Sequence, residues 1–580
     1  MCGLSCRLSG LAFLCFAAAF RLIAAPPVLS EPATPADLVL VEGSSGFIRV
    51  LGSAGANGAV QWFRDGAPMV PGPTGNTLSF TNAFPGDAGA YHVVLSNSEG
   101  SVTSRTARVV IPPALTIQRV VNVPIGGSAL ALAVDGDRLF VGMGDGPSQV
   151  AGLEIYDVSV PAAPVFLGSY RLPRVGTGLR VRDVVVNGTT AYLAAGTQGL
   201  RILDVSDAAS PRELGAFTNQ QAFADLDVVG NRVYAARTSG MSILDVSDPS
   251  AITVLGQFQM QSATGIAVQG NLALLVNALA SADILDVTDA SRPVRIGTLF
   301  TGDPMNTLRW RGHQLVVSGG IVPHVFDLSR PKHPLKLGGY VAPVDSVGMA
   351  LLDDLVLDGG VPALGRPQHF NVFDIGSLPH VFPVGRLQMG GVVEDIVVHR
   401  GHIFAAVTRA GVDVLTMEPN GPPVVVRPLG PLRVAAGSNV ELQARVSGGR
   451  LSHQWFKEGE SIPGATNRVL RLPNVSQEQM GNYSVVASNR MGAISGGVAT
   501  LTLADEMAIR IVHGTGTTGA AARPNLFGPP GFQGYLLAST NLVDWQPIWF
   551  GELGLTPPGV SDPISPLPAA RYYRLEPGVE

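Results

Sequence analysis

One short motif returns again and again through the middle of this 580-residue chain, and it limits what the chain can fold into more than any other feature. It reads "GLEIYDVSVPAAPVFLGSY", "GLRILDVSDAASPRELGAF", "GMSILDVSDPSAITVLGQF", "SADILDVTDASRPVRIGTLF", "VPHVFDLSRPKHPLKLGGY" and "HFNVFDIGSLPHVFPVGRL", and it ends in a truncated seventh copy, "GVDVLTMEPNGPP". A shared acidic position falls at Asp157, Asp204, Asp245, Asp286, Asp327 and Asp374, with Thr416 in its place at the end. The intervals between these positions are 47, 41, 41, 41, 47 and 42 residues. Strand-forming pairs precede the motifs, such as "DVVVNGTTAYLAAG" from Asp183 and "DLDVVGNRVYAARTSG" from Asp225.

Four short strands in a unit of that length are the period of a β-propeller blade. A single blade cannot bury both faces, and a closed ring gives each blade two neighbours. Seven units predict seven blades. The seventh lacks its own outer strand, and an unassigned β-like run, "LTIQRVVNVP", precedes the first unit at 115–124. That run is expected to be the missing strand, closing the ring so that no edge is left unpaired.

The units resemble the LVIVD-repeat family, over about 115–417 of the chain. The resemblance implies a propeller of the kind found on exported bacterial and archaeal proteins. It implies no reaction.

Paired motifs flank the ring. "AVQWFRDGAPM" precedes "DAGAYHVVLSNSEGS", and "SHQWFKEGESI" precedes "QMGNYSVVASNRMGA". A Trp on one strand and a corner Tyr on another predict two immunoglobulin-like sandwiches. Trp62 and Trp455 are expected in their cores, with Tyr91 and Tyr483 at the corners. Both modules resemble the I-set of immunoglobulin domains but lack its disulfide. Val93 and Val485 stand two residues after each Tyr, and Val50 and Ala444 stand at the partner positions. Loss of such a bridge costs about 2–5 kcal/mol, so apolar packing must compensate.

The N-terminus reads as a secretory signal, 1–25, with Arg7, the apolar stretch "LSGLAFLCFAAAF" and a small-residue region favouring cleavage after Ala24. Cys2, Cys6 and Cys15 all lie inside it, so the mature chain is expected to be free of disulfides and of thiolate metal sites. At the other end, "GYLLASTNLVDWQPI" and "ARYYRL" resemble a small β-domain found at the C-termini of many exported bacterial proteins, with Trp545 and Tyr573 in its core. Just before them, Gly514, Gly516 and Gly519 match a dinucleotide fingerprint. Pro524, Pro529 and Pro530 stop the helix such a site requires, and no acidic residue ends the next strand. A loop is expected there.

The whole is read as an all-β chain. It comprises a signal (1–25), an immunoglobulin-like sandwich (26–113), a seven-bladed propeller (114–418), a second sandwich (419–505) and a small C-terminal β-domain (506–580). The net charge of −5 and a lysine count of three, at 332, 336 and 457, give no basic field for nucleic acid or anionic lipid. No transmembrane span, cofactor or metal site is expected. His399 and His402 sit at a hairpin and read as a solvated turn, as do Asp135 and Asp137. Asp353, Asp354 and Asp358 would make a polar turn or hold a cation. The recurring Asp of each repeat reads as a turn residue that bonds its own backbone.

The binding candidates are Asp183, Asp225 and Asp395, which begin the innermost strands of their units. Ala131, Gly265, Thr307 and Val347 are taken as their equivalents elsewhere. The three carboxylates either form an acidic channel mouth for a cation or polar group, or tie down the backbone of the neighbouring blade. The functional expectation is a non-catalytic binding or adhesion protein at the cell surface, engaging an extracellular protein or glycan through propeller faces and sandwich loops. The alternative is a secreted propeller enzyme acting on glycans or other polymers, with the flanking domains as attachment modules.

Overall fold

Alternating apolar residues in each repeat unit form four antiparallel strands. The computed structural model describes residues 25–30, 37–55, 57–144, 150–174, 179–218, 222–318, 322–339, 344–362, 368–376, 378, 381–434 and 437–503. Beyond these it describes the strands Arg510–Val512, Asn525–Phe527, Gln533–Ser539, Gln546–Glu552 and Tyr572–Pro577. The signal, the glycines at 514, 516 and 519, and Trp545 lie outside the described residues. The C-terminal strands form one two-stranded and one three-stranded antiparallel sheet, with Tyr573 on the last strand.

Blade 1 consists of Ser128–Asp135, Arg138–Gly144, Gly152–Asp157 and Val165–Arg171. The innermost strands of blades 2 to 7 are Asp183–Asn187, Phe223–Val229, Ala263–Gln269, Thr307–Arg311, Val344–Leu352 and Val393–His399. Each packs against the next, and the last packs against Ser128–Asp135 of blade 1, so the ring is closed. Leu115–Val123 pairs antiparallel with Gly411–Pro419 as the outer strand of blade 7, which joins the start of the ring to its end. The same strand meets blade 6 through the parallel pair Leu115 and Gly385.

Apolar residues facing between blades make the core. At the closing seam, Leu132, Val141 and Met143 of blade 1 meet Phe404, Ala406, Val412 and Val414 of blade 7. Between blades 1 and 2, Phe140, Leu153 and Ile155 meet Val184, Leu193 and Leu203. The repeated Asp does the turn work that short polar side chains do well. The Ser159, Ser206, Ser247, Thr288 and Ser329 amides donate to Asp157, Asp204, Asp245, Asp286 and Asp327 at 2.7–2.9 Å. The Ser206 bonds, together with Arg212, hold Asp204 down at about 2.

The first sandwich is a separate compact unit. Its central strand Gly89–Asn97 pairs with Ala59–Arg64, Gly100–Thr103 and Ala107–Val110. Trp62 is buried, and its indole N–H donates to the Gly75 carbonyl at 2.9 Å. The Tyr91 hydroxyl donates to the Asp87 carbonyl at 2.8 Å, the tyrosine-corner bond. Val50 and Val93 are buried where a disulfide would stand. The second sandwich repeats the scheme: Trp455 donates to Asn467, Tyr483 donates to Gln479, and Ala444 and Val485 lie in the core with them.

Candidate functional site

The ring brings Asp183, Asp225 and Asp395 together at the channel. Each accepts a main-chain N–H from the next blade: Asp183 from Leu226 at 2.9 Å, Asp225 from Ile266 at 2.7 Å, and Asp395 from Leu132 at 2.8 Å. The backbone-tying role is thus filled at all three positions. The third bond crosses the seam where the ring closes.

The other oxygen of Asp395 accepts from the Ile396 amide at 2.8 Å and from Arg309, while Asp183 and Asp225 face each other. Asp183 hydrogen-bonds Asp225, and its proton is held well above the ordinary range by burial, then by the charges of Asp225 and Asp395. Asp225 is raised to about 6 by burial, opposed by the Ile266 N–H, Arg309 and the bond from Asp183. Burial also raises Asp395, against Arg309 and two backbone donors. Arg309 of blade 5 donates to Asp395 at 3.0 Å and to its neighbour's carbonyl, Leu308 O, at 2.9 Å. The centre is therefore a proton-sharing acid pair beside an ion pair.

Two channel residues were not singled out from the sequence. Arg309 lies two residues after Thr307, and Asp227 two after Asp225, on the same strand face. Asp227 repeats the inter-blade tie, accepting from Val268 at 2.6 Å. One equivalence also needs correcting. Gly348, opposite Gly359, stands at the place assigned to Val347, which falls instead in the bulge that blades 1, 3, 4 and 7 share. A Cβ on Gly348 would stand 2.9 Å from the Asp395 nitrogen, so only glycine lets blades 6 and 7 approach this closely.

The other candidates separate. His399 and His402 are cross-strand partners at a hairpin, with His399 3.6 Å from Asp137 and Arg400 2.7 Å from the same carboxylate. Among the described residues, no three His, Cys, Asp or Glu side chains are arranged to hold a metal ion. Asp353, Asp354 and Asp358 do not gather. The first two form the turn of the blade 6 hairpin, where Asp354 pairs with Arg468 at 3.0 Å. Asp358 lies within the blade beside Asn371, with no exposure and no hydrogen-bond partner for either oxygen. Burial pushes it up to about 7, and the nearby Ser346 hydroxyl draws it down only in part.

A second site is one the sequence did not announce, because its two walls are far apart in the chain. The second sandwich docks on blade 6. Ser447 bonds Asp374, Arg468 and Gln443 donate to the Gly376 carbonyl at 2.9 and 3.3 Å, and Arg468 meets Asp354. Between them lies a cleft of about 700 Å³, lined on one side by Arg311, Asp353 and Asp354 and on the other by Arg450, His453 and the segment 465–471. That volume is within the usual range for ligand sites.

Comparison with known families matches an LVIVD repeat at residues 126–171, 180–219 and 223–259, and an immunoglobulin domain at 422–489. The chain thus carries LVIVD repeats in its propeller and an immunoglobulin-type second sandwich. A 58-residue stretch is 40% identical to the mouse B-cell receptor CD22, covering 10% of this chain and 7% of that receptor. Three solved structures each overlap about half of the chain. The WD40 β-propeller domain of Doa1 has 11% identity, TM-score 0.40, and covers 52% of this chain and 97% of that one. A chain of the mitotic checkpoint complex has 11% identity, TM-score 0.42, and covers 52% and 92%. The computationally designed Ika8 protein has 13% identity, TM-score 0.37, and covers 51% and 99%. Among the described residues, no helix is long and apolar enough to cross a membrane.

Proposed function

We propose that this is an exported, non-catalytic modular binding protein, engaging an extracellular protein or glycan through its propeller faces and sandwich loops, in an adhesive role at the cell surface. The observation that carries this reading is the use made of the channel carboxylates. Asp183, Asp225 and Asp395 each hold a neighbouring blade's backbone, which ties the most catalytic-looking residues to closing the ring.

The alternative, a polymer-cleaving enzyme, draws support from the proton-sharing pair Asp183 and Asp225. Two hydrogen-bonded carboxyls, however, are closer than the ~5 Å or more that glycosidase acid pairs keep between them. The test is to apply the intact mature chain to glycan and matrix-protein arrays, and to incubate it with a panel of polysaccharides. Specific capture without turnover is the expected result. Turnover that disappears in Asp183→Ala or Asp395→Ala would sink the non-catalytic reading. Recovery of the protein outside the cell, with an N-terminus at Ala25, is expected from the proposed export.

A further inference from the structure

The cleft between blade 6 and the second sandwich runs along an unpaired strand edge. Val469–Leu472 pairs with Val440–Gln443 and with no other strand among the described residues. Residues 468, 469, 470 and 471 all line the cleft in succession. Side chains of a strand alternate between two faces, so four successive residues can meet one cavity only if it lies along the strand's edge. Leu470 makes the point by itself: its side chain is packed in the sandwich core, so what it presents to the cleft is main chain. A free edge of this kind is a template for an added strand.

Charge says which strand. Asp354 is engaged by Arg468, and Asp374 by Ser447 and the Gly376 amide. Arg311 is exposed; its guanidinium donates to the Asp353 carbonyl, and its charge also acts on Asp354, which Arg468 already holds. Arg450 lies 3.7 Å from Glu418, a carboxylate already held by Arg490 at 2.7 Å. Two guanidiniums on opposite walls thus line the cleft, each sharing its carboxylate with a second arginine, Asp354 with Arg468 and Glu418 with Arg490. Arg450 has a φ of 49°, after Gly448 and Gly449 at 155° and 63°.

From the free edge and the flanking arginines we infer that this cleft takes an extended, carboxylate-bearing peptide as an added strand beside Val469–Leu472, with Arg311 and Arg450 reading its acidic side chains. The inference rests on the protein being a binding module and names one of its sites.

The probe is a fluorescein-labelled peptide of alternating Glu and Val, titrated against the intact chain by fluorescence polarisation. A Lys-for-Glu analogue, a backbone N-methylated analogue and polygalacturonate serve as comparators. The acidic peptide is expected to bind, and to slow hydrogen exchange of the amides at 469–472. Arg311→Gln and Arg450→Gly are each expected to weaken it roughly tenfold, as loss of a charge-assisted contact does. Glycine suits φ 49°, so the second variant keeps the loop. N-methylation should abolish binding, because it removes main-chain donors. The proposal is overturned if the acidic peptide does not bind, if the Lys analogue binds equally, or if polygalacturonate binds while the peptide does not. A ligand found on the arrays whose affinity neither variant changes would also overturn the cleft assignment while leaving the binding-module reading intact.

Discussion

Asp358 is the residue whose chemistry fits its surroundings least. It has no exposure, its oxygens have no hydrogen-bond partner, and its carboxyl is raised to about 7. A folded-state pKa above the unfolded value means the folded chain keeps a proton that the unfolded chain releases. Stability is therefore lost as pH rises from about 4 to about 7, and is level beyond. Asp358→Asn removes the titration. It should stabilise the propeller at pH 8 by at most about 4 kcal/mol, and by little at pH 4. Urea-unfolding midpoints of both proteins at the two pH values check this; equal shifts at both would refute it. At this scale the sequence was readable only in part. The start of the innermost strands located Asp183, Asp225 and Asp395. The same reading missed blade 6, where Gly348 and not Val347 stands opposite Gly359. Asp353, Asp354 and Asp358 looked like one cluster because proximity in sequence was all there was to see. Register sends two to a turn and one inside the sheet.

The closing strand was the most legible element, because two defects in the repeat pattern matched: an outer strand missing at the end and a spare one at the start. The pairing of Leu115–Val123 with Gly411–Pro419 joins them, with one irregularity between Arg119 and Val121. Two polar contacts strengthen it: Arg119 meets the buried Asp413 at 2.9 Å, and Asn122 donates to the same carboxylate at 2.8 Å. Asp413 belongs to a series visible only with the sheets in hand. Three residues before each repeat acid, and before Thr416 in the last unit, lie Glu154, Arg201, Ser242, Asp283, His324, Asn371 and Asp413, a polar position inside every blade. Several are neutralised by the outer strand of their own blade, as Glu154 is by Arg171 and Arg201 by Glu213. Blade 7 takes its counter-ion from the far end of the propeller sequence. Gln118→Pro removes a ladder donor near the middle of this pairing, opposite Thr416, and should cost up to about 3 kcal/mol locally. Amide exchange across Gly411–Pro419 should then be faster by roughly a hundredfold. The strands of blade 3, across the ring, should keep their protection. Equal loss in both blades would mean that closure is shared around the ring rather than held at this strand.

At the scale of the whole molecule, the decisive contact is one the repeat disguised. Asp374 has the same place in its unit as five half-buried acids, and like them it caps its own turn, through the Gly376 amide at 2.8 Å. Its second oxygen is taken by Ser447, so a turn residue of blade 6 has become the anchor of the second sandwich. No pattern within the repeats could reveal this, because the partner lies in another domain. The anchor carries a pH signature. Burial raises Asp374 to about 6, with the charge of Asp354 adding to the rise and Ser447, Gly376 and Arg468 opposing it. Asp354 is raised as well, by burial outweighing Arg468. The docked form therefore holds protons that an undocked form would release. Docking should be strongest below about pH 4, weaken as pH rises through about 6, and change little above. For Asp374 alone the difference is at most about 3 kcal/mol. Asp374→Asn should flatten this dependence, whereas Asp374→Ala combined with Arg468→Ala should loosen the seam at every pH. Hydrogen exchange of the Arg445–Ser447 amides, measured between pH 5 and 8 and corrected for the intrinsic rate, distinguishes these outcomes. Protection that rises with pH in the unaltered protein would contradict the sign and show that the Arg468 pair, not the buried acid of blade 6, governs how the second sandwich is held.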